Sequence, residues 1–432
     1  MIQRKYGLTS LLSLWFVISL ATTVSADVSP GDVIDQTNWE KAQGLLPESV
    51  LTWVKEGDFR LDVDDLNFTV METMPEFIRE ARNTNGSKLA LDKDGAIVDA
   101  GTGKPPKYII GLPFPGLDTK DPRVAEKTIH NNKYVQYMIG NIHTTAQVVW
   151  LGRSGFERKV VTETLQIAMD GHPGAADLRN SKGIEKYMLS VVRSPFDIAG
   201  TAVLLWRFLD PKKEDVNYGY LPAIRRTRRM DPANRSDASL GTDFAQDDLN
   251  GYDGKIAGFT WKFIRKQEAI MPWADADPAR IVLNRDGAWE TASNTVAYGY
   301  QKEGWQGALW APTNMAWVKR QVYVIEGTPK DPYYNYGAQY MWFDTETFNI
   351  GYKVIHDRAG KYWKTLVAAD SVAVSEDNKA GFKLVSVSLV LIDKRTDHAT
   401  VLEGASPRHK LVFGVDLDQA DFTLAGFQKY CK

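Results

Sequence analysis

The residue types that could do chemistry are thinly spread along this chain. Six histidines, His130, His143, His172, His356, His398 and His409, occur without HxH, HxxxH or HExxH spacing, so no zinc ligand set is readable. Ser154 stands in LGRSGF, which lacks the GxSxG spacing of a nucleophile elbow and reads as a hairpin turn. DAGTGKPP (99–106) looks like a phosphate loop, but Pro105 follows Lys104 where Ser or Thr would hold magnesium, and the glycines stand too close together. The acidic runs DVDD (62–65) and DLDQAD (416–421) lack the Gly and Glu of an EF-hand and read as solvated loops. These patterns predict no catalytic residue, no metal and no cofactor, and hence a protein that is not an enzyme.

One stretch stands out by charge. YLPAIRRTRRMDPANRSDASLGTDFAQDDL (220–249) packs Arg225, Arg226, Arg228 and Arg229 into five positions, and then follows Arg235 with Asp231, Asp237, Asp243, Asp247 and Asp248 around it. Five cations meet five anions. On an extended strand Arg225 and Arg229 share one face while Arg226 and Arg228 take the other, so no one-sided basic surface forms. A nucleic-acid surface needs its cations on one side with stacking aromatics between them, which excludes that partner. Two readings stay open: arginines paired with the following aspartates, or one face meeting the head group of an amphiphile.

The elements that must position these residues begin after an export signal. Arg4 and Lys5, an apolar run from Leu8 to Ala21, and Val24-Ser25-Ala26 form a signal peptide over 1–26, with cleavage after Ala26 and a periplasmic destination. The apolar run is shorter than the roughly 20 residues that span a bilayer. Without the signal the chain has 50 basic and 54 acidic residues, a weak acidity that again argues against nucleic acid. The single cysteine, Cys431, leaves no internal disulfide, so stability must come from a core rich in the 13 Trp, 18 Tyr and 17 Phe.

Residues 27–143 read as a helix- and loop-rich region. Thr37-Asn-Trp-Glu40 has the form of a capping box, a helix follows Pro47 and ends at Gly57, and another spans Pro75 to Arg82 before Asn85-Gly86. A hairpin turns at Asp94-Gly95, and a further helix runs from Asp121-Pro122 toward Gly140. Residues 144–432 read as strands with hairpin-length gaps, from AQVVWLG and RKVVTETLQIAM through FKLVSVSLVLIDK, with long loops over 251–258 and 271–278. The expected fold is mainly β (α+β): a large antiparallel sheet curved into an unclosed half-barrel, with helices over its concave face and both regions in one structural unit. In TAVLLWRFLD, Ala202, Leu204, Trp206 and Phe208 share one face, and Val203, Leu205 and Arg207 the other. Both faces are largely apolar, so something must cover each. In FTWKF, Phe259, Trp261 and Phe263 are co-facial.

Tyr220, Pro222, Arg225, Arg228, Arg229, Gly241, Asp243, Phe244, Asp248 and Leu249 resemble the corresponding segment of periplasmic outer-membrane lipoprotein-sorting proteins. GDVIDQTNWEKAQGLLPESVLTWVKEGDF, YIIGLPFPGLDTKDP and VYVIEGTPKDPYYNYGAQYMWFDTETFNIGYKVIHDRAGKYWK resemble a family of long bacterial exported proteins known as a domain of unknown function, over nearly the whole mature chain. The resemblance implies a half-open barrel whose apolar concavity accepts acyl chains. It also implies work beside an inner-membrane exporter of the resistance-nodulation-division type and an outer-membrane protein. The chain is about twice as long as the simple carriers, so cargo does not carry over. The functional expectation is a carrier or binding protein for a lipid, acyl chain or sterol-like molecule, lined by Leu204, Trp206, Phe208, Trp261 and Phe263 with Arg225 and Arg228 nearer the mouth. The alternative is a non-enzymatic structural or adaptor protein of the cell envelope.

Overall fold

The computed structural model describes residues 28–231, 235–291, 296–403 and 411–431; the expected signal peptide lies outside them. The first segment carries β1 (Val33–Ile34), α1 (Glu48–Glu56), β2 (Leu61–Asp64), α2 (Glu76–Lys88), the small hairpin β3 (Leu89–Leu91) and β4 (Ile97–Asp99), and α3 (Val124–Tyr137). A meander follows: β5 (Ile142–Gly152), β6 (Gly155–Ala168), β7 (Ile184–Ser194), β8 (Ala202–Phe208), β9 (Val216–Leu221) and β10 (Arg226–Met230). Then come β11 (Phe259–Trp273), β12 (Ala279–Leu283), β13 (Trp289–Thr291), β14 (Ala316–Pro329) and β15 (Tyr336–Asp344). The last elements are β16 (Ile350–Asp357), β17 (Tyr362–Ser375), β18 (Gly381–Asp393), β19 (His398–Glu403), β20 (Leu411–Phe413) and α4 (Leu424–Tyr430). Among the described residues no helix is long and apolar enough to cross a membrane.

The main sheet runs β10-β9-β8-β7-β6-β5-β19-β18-β17-β16-β15-β14-β11, antiparallel at every step. Short parallel contacts of β17 with β11 and β12, and of β14 with β2, make it mixed, and it does not close into a barrel. The principal core joins the first segment (Val50, Trp53, Leu61, Ile129) to the long strands (Val324, Phe343, Tyr352, Val367, Leu391).

Local chemistry explains where the elements start and stop. Pro47 precedes α1, and Gly57 ends it in the left-handed region (φ 81°), its N–H bonding back to Trp53 and Val54. The expected capping box at Thr37 does not form, because the Thr37 hydroxyl donates to Asp35 instead (2.6 Å) and Trp39–Ala42 is a single 3₁₀ turn. α2 runs through Asn85-Gly86 to Lys88 rather than stopping there. Asn85 Nδ2 donates to the Ile110 and Leu112 carbonyls (2.7 and 2.8 Å), which pins the helix across its weak point. The expected loop at 271–278 begins later than read, since Met271–Trp273 finish β11.

α3 is unusual in being buried nearly all round despite a polar sequence. Buried polar groups need partners, and four of its side chains find them in other segments. Asn131 clamps the Phe114 backbone from both sides (2.9 and 2.6 Å), Asn132 reaches the Phe348 carbonyl, and Tyr134 and Tyr137 donate to Asp170 and Glu185 (2.7 and 2.6 Å).

The two faces of β8 are covered as differently as chemistry allows. Ala202, Leu204, Trp206 and Phe208 pack against Phe422, Phe427 and Cys431 of the α4 region. Arg207, fully buried on the opposite face, pairs with Asp253 (2.7 Å) and Asp215 (3.0 Å). Lys186 joins Asp253 at 2.7 Å, and Arg235 bridges Asp215 (2.5 Å) to Asp247. Lys353 meets Asp248 at 2.6 Å, and the hydroxyls of Tyr334 and Tyr336 donate to Asp247 and Asp248. Four cations face four carboxylates, so the interior assembly is neutral. Asp243, Asp247 and Asp248 of the 220–249 stretch are thus inside the protein, while Asp231 and Asp237 are exposed. The arginine cluster is not inside: Arg225 is a turn residue with φ 50°, off the strand, and Arg226, Arg228 and Arg229 are exposed on β10. Among the described residues, none of these four forms an ion pair, so the pairing expected of them falls to Arg235 alone.

Removing one partner from a buried charge assembly leaves the others uncompensated. Arg207→Met is expected to lower unfolding free energy by about 3–5 kcal/mol, read from urea midpoints; an unchanged midpoint would show the assembly to be energetically idle. Cys431 lies beneath the α4 contact, and burial pushes its thiol up to about 11. It should resist a thiol-directed reagent in the native protein and react once urea unfolds it.

Candidate functional site

A cleft of about 600 Å³ opens where the first segment meets the ends of β6, β7 and β8. The β3–β4 turn and the start of β4 supply Gly95, Ala96 and Ile97 to its wall, and the irregular run after β4 adds Pro105, Pro106 and Ile109. Opposite stand Phe208, Leu209, Pro211, Ile256 and Ala257. α3 contributes His130, Lys133 and Tyr134, and the strand ends contribute Asp170 and Glu185. Lys212 reaches across to Asp94 at 2.8 Å, joining the two walls at the surface.

The polar groups at the bottom are engaged with one another. Asp170 accepts from the Ile109 and Gly171 amides (2.5 and 3.0 Å) and from the Tyr134 hydroxyl. Burial nonetheless raises its carboxyl to about 6, those three donors only moderating the effect. Glu185 takes Lys133 (3.2 Å) and the Tyr137 hydroxyl. Burial opposes its ionisation, but Lys133 and Arg207 outweigh that and hold it below the ordinary carboxylate range. His130, 2.9 Å from the Gly95 carbonyl through Nε2, is pushed down to about 4 by burial and then by the Lys133 ammonium; it is neutral at pH 7 and donates that bond. The Lys255 ammonium donates to the Phe208 and Asp210 carbonyls (3.3 and 2.8 Å), fixing the loop that forms one wall. Such a site offers a ligand apolar walls over a dipolar floor, the composition of a small-molecule binding cleft.

Of the residues expected to line a ligand site, Phe208 borders this cleft, with the Lys213 ammonium 3.5 Å over its ring. Leu204 and Trp206 are with it on β8 but sit under α4, where the Trp206 indole N–H donates to the Phe422 carbonyl (2.7 Å). Trp261 stacks on Phe259 (5.3 Å), lies over Gly327 of the neighbouring strand, and donates to the carbonyl of the cleft residue Ile256 (2.8 Å). Phe263 meets Tyr323 edge-on, and Arg225 and Arg228 are at the sheet edge. The structure therefore gathers Leu204, Trp206 and Phe208, and separates the rest. Lys133, Tyr134, Asp170, Glu185 and Lys255 are not singled out by the sequence, and His130 enters there only as one of six histidines without metal-ligand spacing. The i, i+4 spacing of His130 with Tyr134 and of Lys133 with Tyr137 was the available signal.

The fold defines a mainly β protein with one very large, curved, unclosed sheet and a buried central helix. The chain belongs to DUF1329, a family described as protein of unknown function, whose model matches residues 33–428. No curated protein matches it. Among solved structures it is similar to a domain described as an outer membrane lipoprotein-sorting protein from Vibrio parahaemolyticus (18% identity, TM-score 0.47, covering 70% of this chain and 97% of that one). It is also similar to a DUF1329 family protein from Desulfovibrio piger (14%, 0.48, 72% and 100%) and a LolA superfamily protein from Nitrosomonas europaea (11%, 0.42, 70% and 98%).

The raised Asp170 carboxyl has a defined sign. Below its ordinary pKa of 3.8 the group is neutral in folded and unfolded chains and costs nothing; above about 6 the folded protein holds an unfavourable buried charge. Its contribution to stability therefore falls as pH rises from about 4 to 6. Asp170→Asn keeps an acceptor for the two amides, so its melting temperature relative to the parent should climb across that interval. A constant difference would mean Asp170 titrates normally.

Proposed function

We propose that this protein binds and carries a hydrophobic or amphipathic molecule, such as a lipid, acyl chain or sterol-like compound, in the cell envelope. The observation that carries this reading is the 600 Å³ cleft with walls of Ile97, Pro105, Pro106, Ile109, Phe208 and Ile256. Its volume lies in the range of small-molecule sites, roughly 300–1,000 Å³. Apolar burial at about 25 cal/mol per Å² supplies affinity without an acid, base or nucleophile. The tail lies along the apolar walls, and a neutral or dipolar head meets the hydrogen-bonding floor around His130 and Tyr134.

The same reading takes residues 1–26 as an export signal cleaved after Ala26 and the periplasm as the place of work. Exchange of cargo with a resistance-nodulation-division transporter of the inner membrane and with an outer-membrane protein belongs to this proposal as well.

The test is extraction of the protein, purified from its native host, followed by mass spectrometry of the organic phase. A defined lipid should be recovered, and Ile97→Trp, which fills the cleft from its β3–β4 wall, should reduce it severalfold without lowering the melting temperature. Recovery of no hydrophobic molecule from the parent, or equal recovery from the filled variant, would overturn the assignment of this cleft.

A further inference from the structure

The free basic cluster and a set of solvent-exposed apolar side chains meet on one rim of the sheet. Among the described residues β10 pairs with β9 alone, in register from Arg226↔Leu221 to Met230↔Asn217, and so forms an edge of the sheet. The turn joining them, Pro222–Arg225, presents Leu221 and Ile224, 49% and 45% exposed, beside Arg225 and Arg226. Because Ala202 pairs with Tyr220, the β7–β8 turn lies next to it. That proximity is direct: a Cβ on Gly200 would stand 3.4 Å from Pro222 Cγ. The β7–β8 turn carries Phe196, 97% exposed. Two adjoining hairpin tips thus hold out Phe196, Leu221 and Ile224, with Arg225, Arg226, Arg228 and Arg229 behind them. Asp197 lies in the β7–β8 turn, and Asp231, which follows β10, has a partner.

From this rim we infer an interaction surface for an anionic phospholipid membrane, with the apolar tips entering the interface and Arg226 and Arg228, which share one face of β10, contacting phosphates. Charge complementarity and shape both select this partner. Among the described residues these arginines form no ion pair, which leaves their charge open to anionic headgroups. The apolar residues project singly from convex turns instead of lining a groove, which suits insertion to headgroup depth and gives a folded protein partner little to enclose. Arginines on an edge strand also discourage strand addition from another chain. That role alone would leave Phe196 and Ile224 in water without purpose. The surface is separate from the cleft, so the inference does not depend on what the cleft holds.

Sedimentation of the purified protein with vesicles tests it. Binding should be strong to phosphatidylglycerol-containing vesicles, weak to pure phosphatidylcholine, and reduced by salt. Arg226→Glu with Arg228→Glu should weaken partition by at least about tenfold, and Phe196→Ser with Ile224→Ser should weaken it at fixed charge. All four positions are exposed, so melting temperatures and recovered cargo should match the parent. Equal binding to both vesicle types, no binding to either, or indifference to both double variants would overturn the inference. Retention of cargo by variants that lose vesicles would separate this surface from the carrier reading.

Discussion

The buried assembly of Lys186, Arg207, Arg235 and Lys353 with Asp215, Asp247, Asp248 and Asp253 is the constraint on which the rest of the structure rests. Placing eight ionised groups out of water costs several kcal/mol per ion unless every charge is met. Here the meeting requires β7, β8, the turn before β9, the 235–253 segment and β16 to arrive together. A sheet of this size could slip by two residues without losing its apolar pattern. It cannot slip without stranding a charge. The assembly therefore sets register where hydrophobicity leaves it loose, and it fixes the floor of the cleft, since Glu185 follows β7's first residue and Lys255 follows Asp253 by two.

Specificity of the same kind organises α3. An apolar helix inside the sheet would be held by area alone and could rotate. Asn131, Asn132, Tyr134 and Tyr137 instead each require a particular acceptor or donor elsewhere in the chain. One consequence is that the cleft side of α3 always presents His130, Lys133 and Tyr134. The chemistry of the site is inherited from the packing of the core.

Much of the fold was legible in the sequence because periodicity and turn residues act locally. The strands, the Gly57 stop and the turn at Asp94-Gly95 follow from their own residues, as does the division of β8 into a Leu204–Trp206–Phe208 face and an Arg207 face. What covers those faces was not legible. Nothing near residue 204 points to Phe427, and nothing near Arg207 points to Asp253. The same holds for the cleft, whose walls come from segments around 95, 106, 130, 170, 210 and 256. The arginine-rich stretch misled in an instructive way: equal numbers of opposite charges within thirty residues suggested local pairing. Asp243 and Asp248 instead satisfy the distant partners His398 and Lys353, only Arg235 pairs within the stretch, with Asp247, and Arg225, Arg226, Arg228 and Arg229 stay outside.

The pairing of β5 with β19, Val149 against Val401, and the covering of β8 by α4 bear on how the chain comes to be folded at all. Half of the sheet is synthesised long before the strand that joins it to the other half. Until the segment around 400–430 is available, β5 has an open hydrogen-bonding edge and β8 an uncovered row of Leu204, Trp206 and Phe208. Loop closure over such separations is slow. An intermediate with those two surfaces bare combines an unpaired strand edge with an apolar row, so the chain is open to association with other chains until residues 400–430 arrive.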